Sequence, residues 1–136
     1  MRSVILILFI FLSEASWADE KSPIDKEEQQ CMEKNLTTAG MINCSYQARV
    51  KWDAQINKYY ALLMKKLNSD QRLHLKEAQR AWIKFRDLEF KNIESIYFSP
   101  SRIGSINLNF VAGHKEMIVK ERAETLKAHY ETLINN

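Results

Sequence analysis

The residues predict an all-α fold: an antiparallel bundle of three main helices with a short, disulfide-tethered N-terminal helix. Three observations carry this. From Met41 to Leu67, and again from Asp70 to Tyr97, apolar side chains recur at helical spacing with no Gly or Pro inside either run. Phe98 to Asn109 contains Pro100, Gly104 and several Ser and Asn, and separates the second run from a third. No segment shows the alternation of a strand, and there is no internal repeat.

Taken in order, the chain starts with the basic Met1-Arg2-Ser3, runs apolar from Val4 to Leu12 and reaches Ser16-Trp17-Ala18. A positive start, a short apolar run and small residues flanking Trp17 predict a secretory signal peptide over residues 1–18, cut after Ala18. The run is too short to span a bilayer, which takes roughly 20 residues. No membrane span is therefore expected in the mature protein, and no cysteine follows the run to take a lipid anchor. The expected location is the periplasm or the medium. Residues 19–25, polar and carrying Pro23, read as a flexible lead-in, and residues 26–136 as a single helical domain.

Lys26 to Leu36 has helical composition with little apolar content, and carries Cys31. Thr37-Thr38-Ala39-Gly40 is expected to break it. Cys31 and Cys44 are the only cysteines. In an oxidising compartment such a pair forms a disulfide, and closing that loop stabilises by roughly 3 kcal/mol in the chain-entropy model. Two thiols without a neighbouring histidine make no metal site, and their spacing excludes a CxxC redox centre.

The second helix should bury Met41, Cys44, Ala48, Trp52, Ile56, Tyr59, Tyr60, Leu63 and Leu67. Ser69 is the expected N-cap of the third, with Asp70 in its first turn. That helix should run to about Tyr97 with Leu75, Ala78, Trp82, Phe85, Phe90, Ile93 and Ile96 as its apolar side. The last should run from about Phe110 to Leu133 on Val111, Ile118, Val119, Leu126, Tyr130 and Leu133, with Gly113 weakening its start.

Polar residues interrupt this pattern. Gln79, Trp82 and Arg86 share one stripe of the third helix at i, i+3, i+7, on the side that should meet the core. In a tight hairpin, residue i lies level with about residue 137 − i. Asp53 then faces Arg86, and Asn57 faces Gln79, so an Asp53–Arg86 ion pair and an Asn57–Gln79 contact are expected. Arg122 would join through Asp53 or Asp87. A buried charge left unpaired is very costly, so the first role of these seven residues is to fix helix register. A catalytic site built on Asp53, Arg86 and Arg122 is the weaker reading.

Other chemistry is thinly supported. His74, His114 and His129 are far apart, with no HxxxH or HExxH spacing. Gly104-Ser105 is not a GxSxG elbow, and no phosphate- or dinucleotide-binding loop occurs. No catalytic residue, metal site or cofactor is predicted. The formal charge is +3 with charged residues at 27% and mixed in sign, without the dense Lys/Arg run of a nucleic-acid binder. Nothing in the pattern specifies an oligomeric state.

Cys44, Trp52-Asp53, Ile56-Asn57, Tyr60, Leu63, Ala78-Gln79-Arg80-Ala81-Trp82, Arg86-Asp87, Gly104-Ser105, Arg122 and Leu126 together resemble the LprI-like lysozyme-inhibitor N-terminal domain family. The Gln-Arg-Ala-Trp run followed by Arg-Asp is the most specific part, and the likeness runs from about Cys31 to Leu126. Many members carry a second cysteine pair, at positions that here are Phe90 and His114. Losing both together is what a disulfide predicts, since one orphan thiol is a liability outside the cell. The resemblance implies a small exported bacterial protein, and lysozyme or another peptidoglycan-acting protein as its partner. An inhibitor would offer an exposed loop to the acidic pair of a lysozyme cleft, and Ser101, Arg102, Gly104 and Ser105 lie in the one long loop. The competing expectation is a periplasmic binding or immunity-type protein for another envelope enzyme or effector.

Overall fold

The computed structural model describes residues 21–98 and 104–135. They form four helices, α1 (Pro23–Lys34), α2 (Thr38–Lys66), α3 (Ser69–Tyr97) and α4 (Ser105–Ile134), with no strand among the described residues. The expected signal peptide lies outside this range.

Local chemistry sets each helix start. Ser22 caps α1 by accepting the Asp25 N–H at 3.1 Å, and Pro23 fills the first turn, where a missing N–H costs nothing. The helix thus begins inside the stretch expected to be a flexible lead-in. The expected break is present but falls at residues 35–37: Thr37 caps α2 through the Gly40 N–H at 3.1 Å, so Thr38 to Gly40 form the first turn of α2. Gly40 is needed for close approach: a Cβ there would sit 2.7 Å from Asn35 Cβ and 3.0 Å from Thr37 Oγ1. The cap of α3 is Asn68, not Ser69. Its Oδ1 accepts the Gln71 N–H while Gln71 Oε1 accepts the Asn68 N–H, both at 3.0 Å, a reciprocal box that leaves Ser69 as the first helical residue.

The last helix starts five residues earlier than its composition suggests. The Asn107 N–H closes a turn onto Gly104 O, Phe110 stacks on Tyr97 with centroids 6.0 Å apart, and Val111 is buried. Tertiary contacts thus hold in helix a run whose Asn and Ser content reads as loop.

Cys31 and Cys44 are disulfide-bonded, with Cα atoms 5.7 Å apart, and tie the end of α1 to the start of α2. The core comes from α2 and α4, as Ala48, Trp52, Ile56 and Leu63 interlock with Val119, Ala123 and Leu126. α2 packs chiefly on α4, α1 lies on α2, and α3 rests on α4 while barely meeting α2. The α3 side chains turned inward include Leu75, Gln79, Trp82, Arg86, Phe90, Ile93 and Tyr97, so the polar stripe does face the interior. Ala78, Phe85 and Ile96 do not; Phe85 is 53% and Ile96 48% exposed, against expectation. Ala78, Phe85 and Ile96 share one flank of α3, beside the stripe that runs through Leu75, Gln79, Trp82, Arg86, Phe90 and Ile93. Leu133, near the end of α4, is exposed as well.

Candidate functional site

Three groupings of polar side chains stand out. The first joins α3 to α4. Arg122 donates from Nε and Nη2 to the single oxygen Gln79 Oε1 at 3.0 and 2.9 Å. Burial lowers the pKa of its guanidinium from the usual value. The Arg86 and Arg122 guanidinium carbons lie 5.4 and 5.9 Å from the Trp82 ring centre, within cation–π range. Arg86 is held mainly by its own neighbour: Nε and Nη2 both donate to Asp87 Oδ1, at 2.9 and 2.7 Å.

The predicted partners are therefore only partly right. Arg86 reaches Asp53 Oδ1 at 3.9 Å, a long ion pair with half of the Asp53 side chain exposed. Asn57 is exposed and does not bond Gln79, whose oxygen is taken by Arg122. Arg122 joins through that amide and not through Asp53 or Asp87. A close hairpin would level Asn57 with Gln79, whereas α2 and α3 barely touch and are joined chiefly through α4. Arg86 and Arg122 share the Trp82 ring, and Asp53 meets this group through its long contact with Arg86. Of the loop residues, Ser101 and Arg102 lie outside the described residues, as does the Ser105 side chain; Gly104 is the exposed N-cap of α4.

The second grouping, unforeseen in the sequence, lies under α1. Glu116 of α4 is only 7% exposed, and one oxygen from each of Asp25, Glu28 and Glu116 falls within a 4.8 Å cluster. Lys120 Nζ donates to both Asp25 oxygens at 2.7 and 2.8 Å and lies 5.4 Å from the Trp52 ring centre. Buried Ser45 donates to Glu28 Oε1 at 2.9 Å. Burial first, then a hydrogen bond and charge repulsion from Glu28, push the Glu116 carboxyl up to about 8. For Asp25, burial is outweighed by hydrogen bonds from Lys120 and Ser22, so its pKa is lowered; for Lys120, burial is outweighed by Asp25, so its pKa is raised. Three carboxyls could each offer a cation one oxygen, but Lys120 already supplies the positive charge. The arrangement is an ionic seal that lays the otherwise polar α1 over the core. Glu116 sits on the same α4 stripe as Val119 and Ala123, and that placement was the available signal.

The third grouping is a cleft at the end of the bundle where α2 begins, α3 ends and α4 begins. Its volume is about 230 Å³, with walls that include Ile42, Tyr46, Phe98, Leu108 and Val111. Arg49 and the paired Lys115 and Glu94 also line it.

A family model described as lysozyme inhibitor LprI matches residues 31–126, most of the chain. The chain belongs to the LprI family. The matched segment runs from the disulfide at Cys31 to Leu126 at the core, and so contains the Gln79–Arg122 link. An uncharacterized protein from Burkholderia thailandensis, known from its crystal structure, is 28% identical with a TM-score of 0.77. The likeness covers 84% of this LprI-family chain and 56% of the Burkholderia chain, so the protein spans little more than half of that relative's length. No curated protein sequence matches it.

Proposed function

We propose that this LprI-family protein is exported, loses residues 1–18 after Ala18, and works in the bacterial envelope or outside the cell as a single binding domain without enzymatic activity. Its proposed partner is a lysozyme-type muramidase, which it inhibits by forming a complex. The family match over residues 31–126 carries this reading. The Cys31–Cys44 disulfide supports export, because such bonds persist in oxidising compartments. No helix among the described residues is long and apolar enough to cross a membrane. The proposed contact is the α3–α4 connection, with Arg102 supplying a cation and Ser101, Gly104 and Ser105 its setting.

The test is residual activity of a c-type and a g-type lysozyme on cell walls as purified residues 19–136 are added. Stoichiometric inhibition, weakened by Arg102→Glu, is expected. No inhibition of either enzyme by the folded protein overturns the reading, and inhibition untouched by Arg102→Glu overturns the loop assignment. The net charge of +3 favours a second reading. Lysozymes are commonly basic, so long-range steering would not assist this pair. An immunity-type role toward a less basic envelope enzyme fits that charge better, and a pull-down from envelope extract that returns such an enzyme would decide for it.

A further inference from the structure

We infer that the cleft between the start of α2, the end of α3 and the start of α4 is a socket for one apolar side chain flanked by carboxylates on a protein partner. This rests on the reading above only in that the protein acts by binding another protein.

Size sets the occupant. At about 230 Å³ the cleft falls below the roughly 300–1,000 Å³ of small-molecule sites and suits a single large side chain. Its wall is Ile42, Val111 and Leu108, and its rim is aromatic, with Tyr46 54% and Phe98 47% exposed. Apolar surface left in water at a concave site gains by being covered.

Charge sets what flanks that side chain. The Arg49 guanidinium lies 5.3 Å from the Tyr46 ring centre and 5.4 Å from that of Phe90, and among the described residues it has no carboxylate in ion-pair range. Every other charged group of the cleft is matched: Lys115 pairs with Glu94 while lying 5.2 Å from the Phe90 ring centre. Among the described residues one net positive charge therefore lines the cleft, on a planar fork already held against two rings. A guanidinium so held loses little freedom when it takes a carboxylate in two-point contact. A larger concavity between α1 and α4 lacks this character, since Asp25 and Lys120 on its wall already satisfy each other.

The test uses residues 19–136 carrying ¹³C-labelled Ile and Val methyl groups, titrated with three capped tripeptides: Glu-Phe-Glu, Glu-Ala-Glu and Lys-Phe-Lys. Glu-Phe-Glu should shift the Ile42 and Val111 methyls saturably, and each of the others should bind about fivefold more weakly or worse. Arg49→Glu should abolish the preference for Glu-Phe-Glu over Lys-Phe-Lys. Arg49→Met, which keeps the stem packed on the rings, guards against loss of fold and should remove the same preference. Equal response to all three peptides, shifts centred elsewhere, or indifference to both substitutions would overturn the socket. So would a concentration-dependent dimer that Arg49→Glu dissociates, which would make the cleft an interface between copies of this chain. Lysozyme inhibition is measured in parallel. Peptide binding without inhibition supports the socket and removes lysozyme as partner, while inhibition unchanged by Arg49→Glu with no peptide binding removes the socket alone.

Discussion

Arg122 of α4 places two N–H groups on one oxygen of Gln79 of α3, at 3.0 and 2.9 Å, and no carboxylate takes part. A half-buried guanidinium thus relies on a neutral amide, and α3 is fastened to α4 there by hydrogen bonding and not by charge pairing. Gln79→Leu should remove the acceptor and cost about 1–3 kcal/mol in urea unfolding. Gln79→Glu keeps the acceptor and adds charge, so it should match or exceed the parent. A loss equal to that of the Leu variant would show that shape, and not the acceptor, matters.

The Asp53–Arg86 pair should couple weakly. At 3.9 Å, with half of Asp53 exposed and Arg86 already chelating Asp87, its coupling energy is expected below about 1 kcal/mol. A double-mutant cycle on Asp53→Asn and Arg86→Gln measures it. A coupling of several kcal/mol would mean that the pair closes up in solution.

Glu116 should make stability fall as the pH rises from about 4.5 to about 8. Its carboxyl rises from an ordinary 4.5 to about 8 in the fold. Between those values the native state holds a proton that the unfolded chain has released, so unfolding free energy declines with rising pH and levels off above about 8. Glu116→Gln removes that decline. The variant should gain on the parent by on the order of a few kcal/mol between pH 5 and 8. Parallel stability–pH curves for the two proteins would refute the raised Glu116 pKa. Asp25 acts in the opposite sense: its lowered pKa contributes stability above the ordinary carboxylate value of 3.8, lost in acid as the pH falls through the folded value.

Two glycines should respond with opposite signs. Gly40→Ala drives a Cβ to 2.7 Å from Asn35 Cβ at the α1–α2 junction and should destabilise by about 1–3 kcal/mol. Gly113 lies inside α4, where an added Cβ meets nothing within 4 Å, so Gly113→Ala should stabilise by about 0.5–1 kcal/mol. Thermal unfolding of both variants gives the comparison. A stabilised Gly40→Ala would mean that the junction relaxes freely.

The sequence by itself determined that four helices form, because 3.6-residue periodicity, caps and breakers are local properties; the start of α4 at Ser105 needed the Tyr97–Phe110 stacking and the burial of Val111. The sequence also determined the Cys31–Cys44 link, since only one pairing exists, and the inward turn of Gln79, Trp82 and Arg86, since those three share a helical stripe. Which partner each polar group takes was decided only by the tertiary structure. Hydrogen bonds are short and directional, and the separation of α2 from α3 turned Gln79 from Asn57 to Arg122 and stretched the Asp53–Arg86 pair. Glu116 meets Glu28, and Lys120 meets Asp25 across 95 positions of chain, only once α1 folds back over α4. Periodicity tells a residue which way to face; what it finds there depends on how the helices are set.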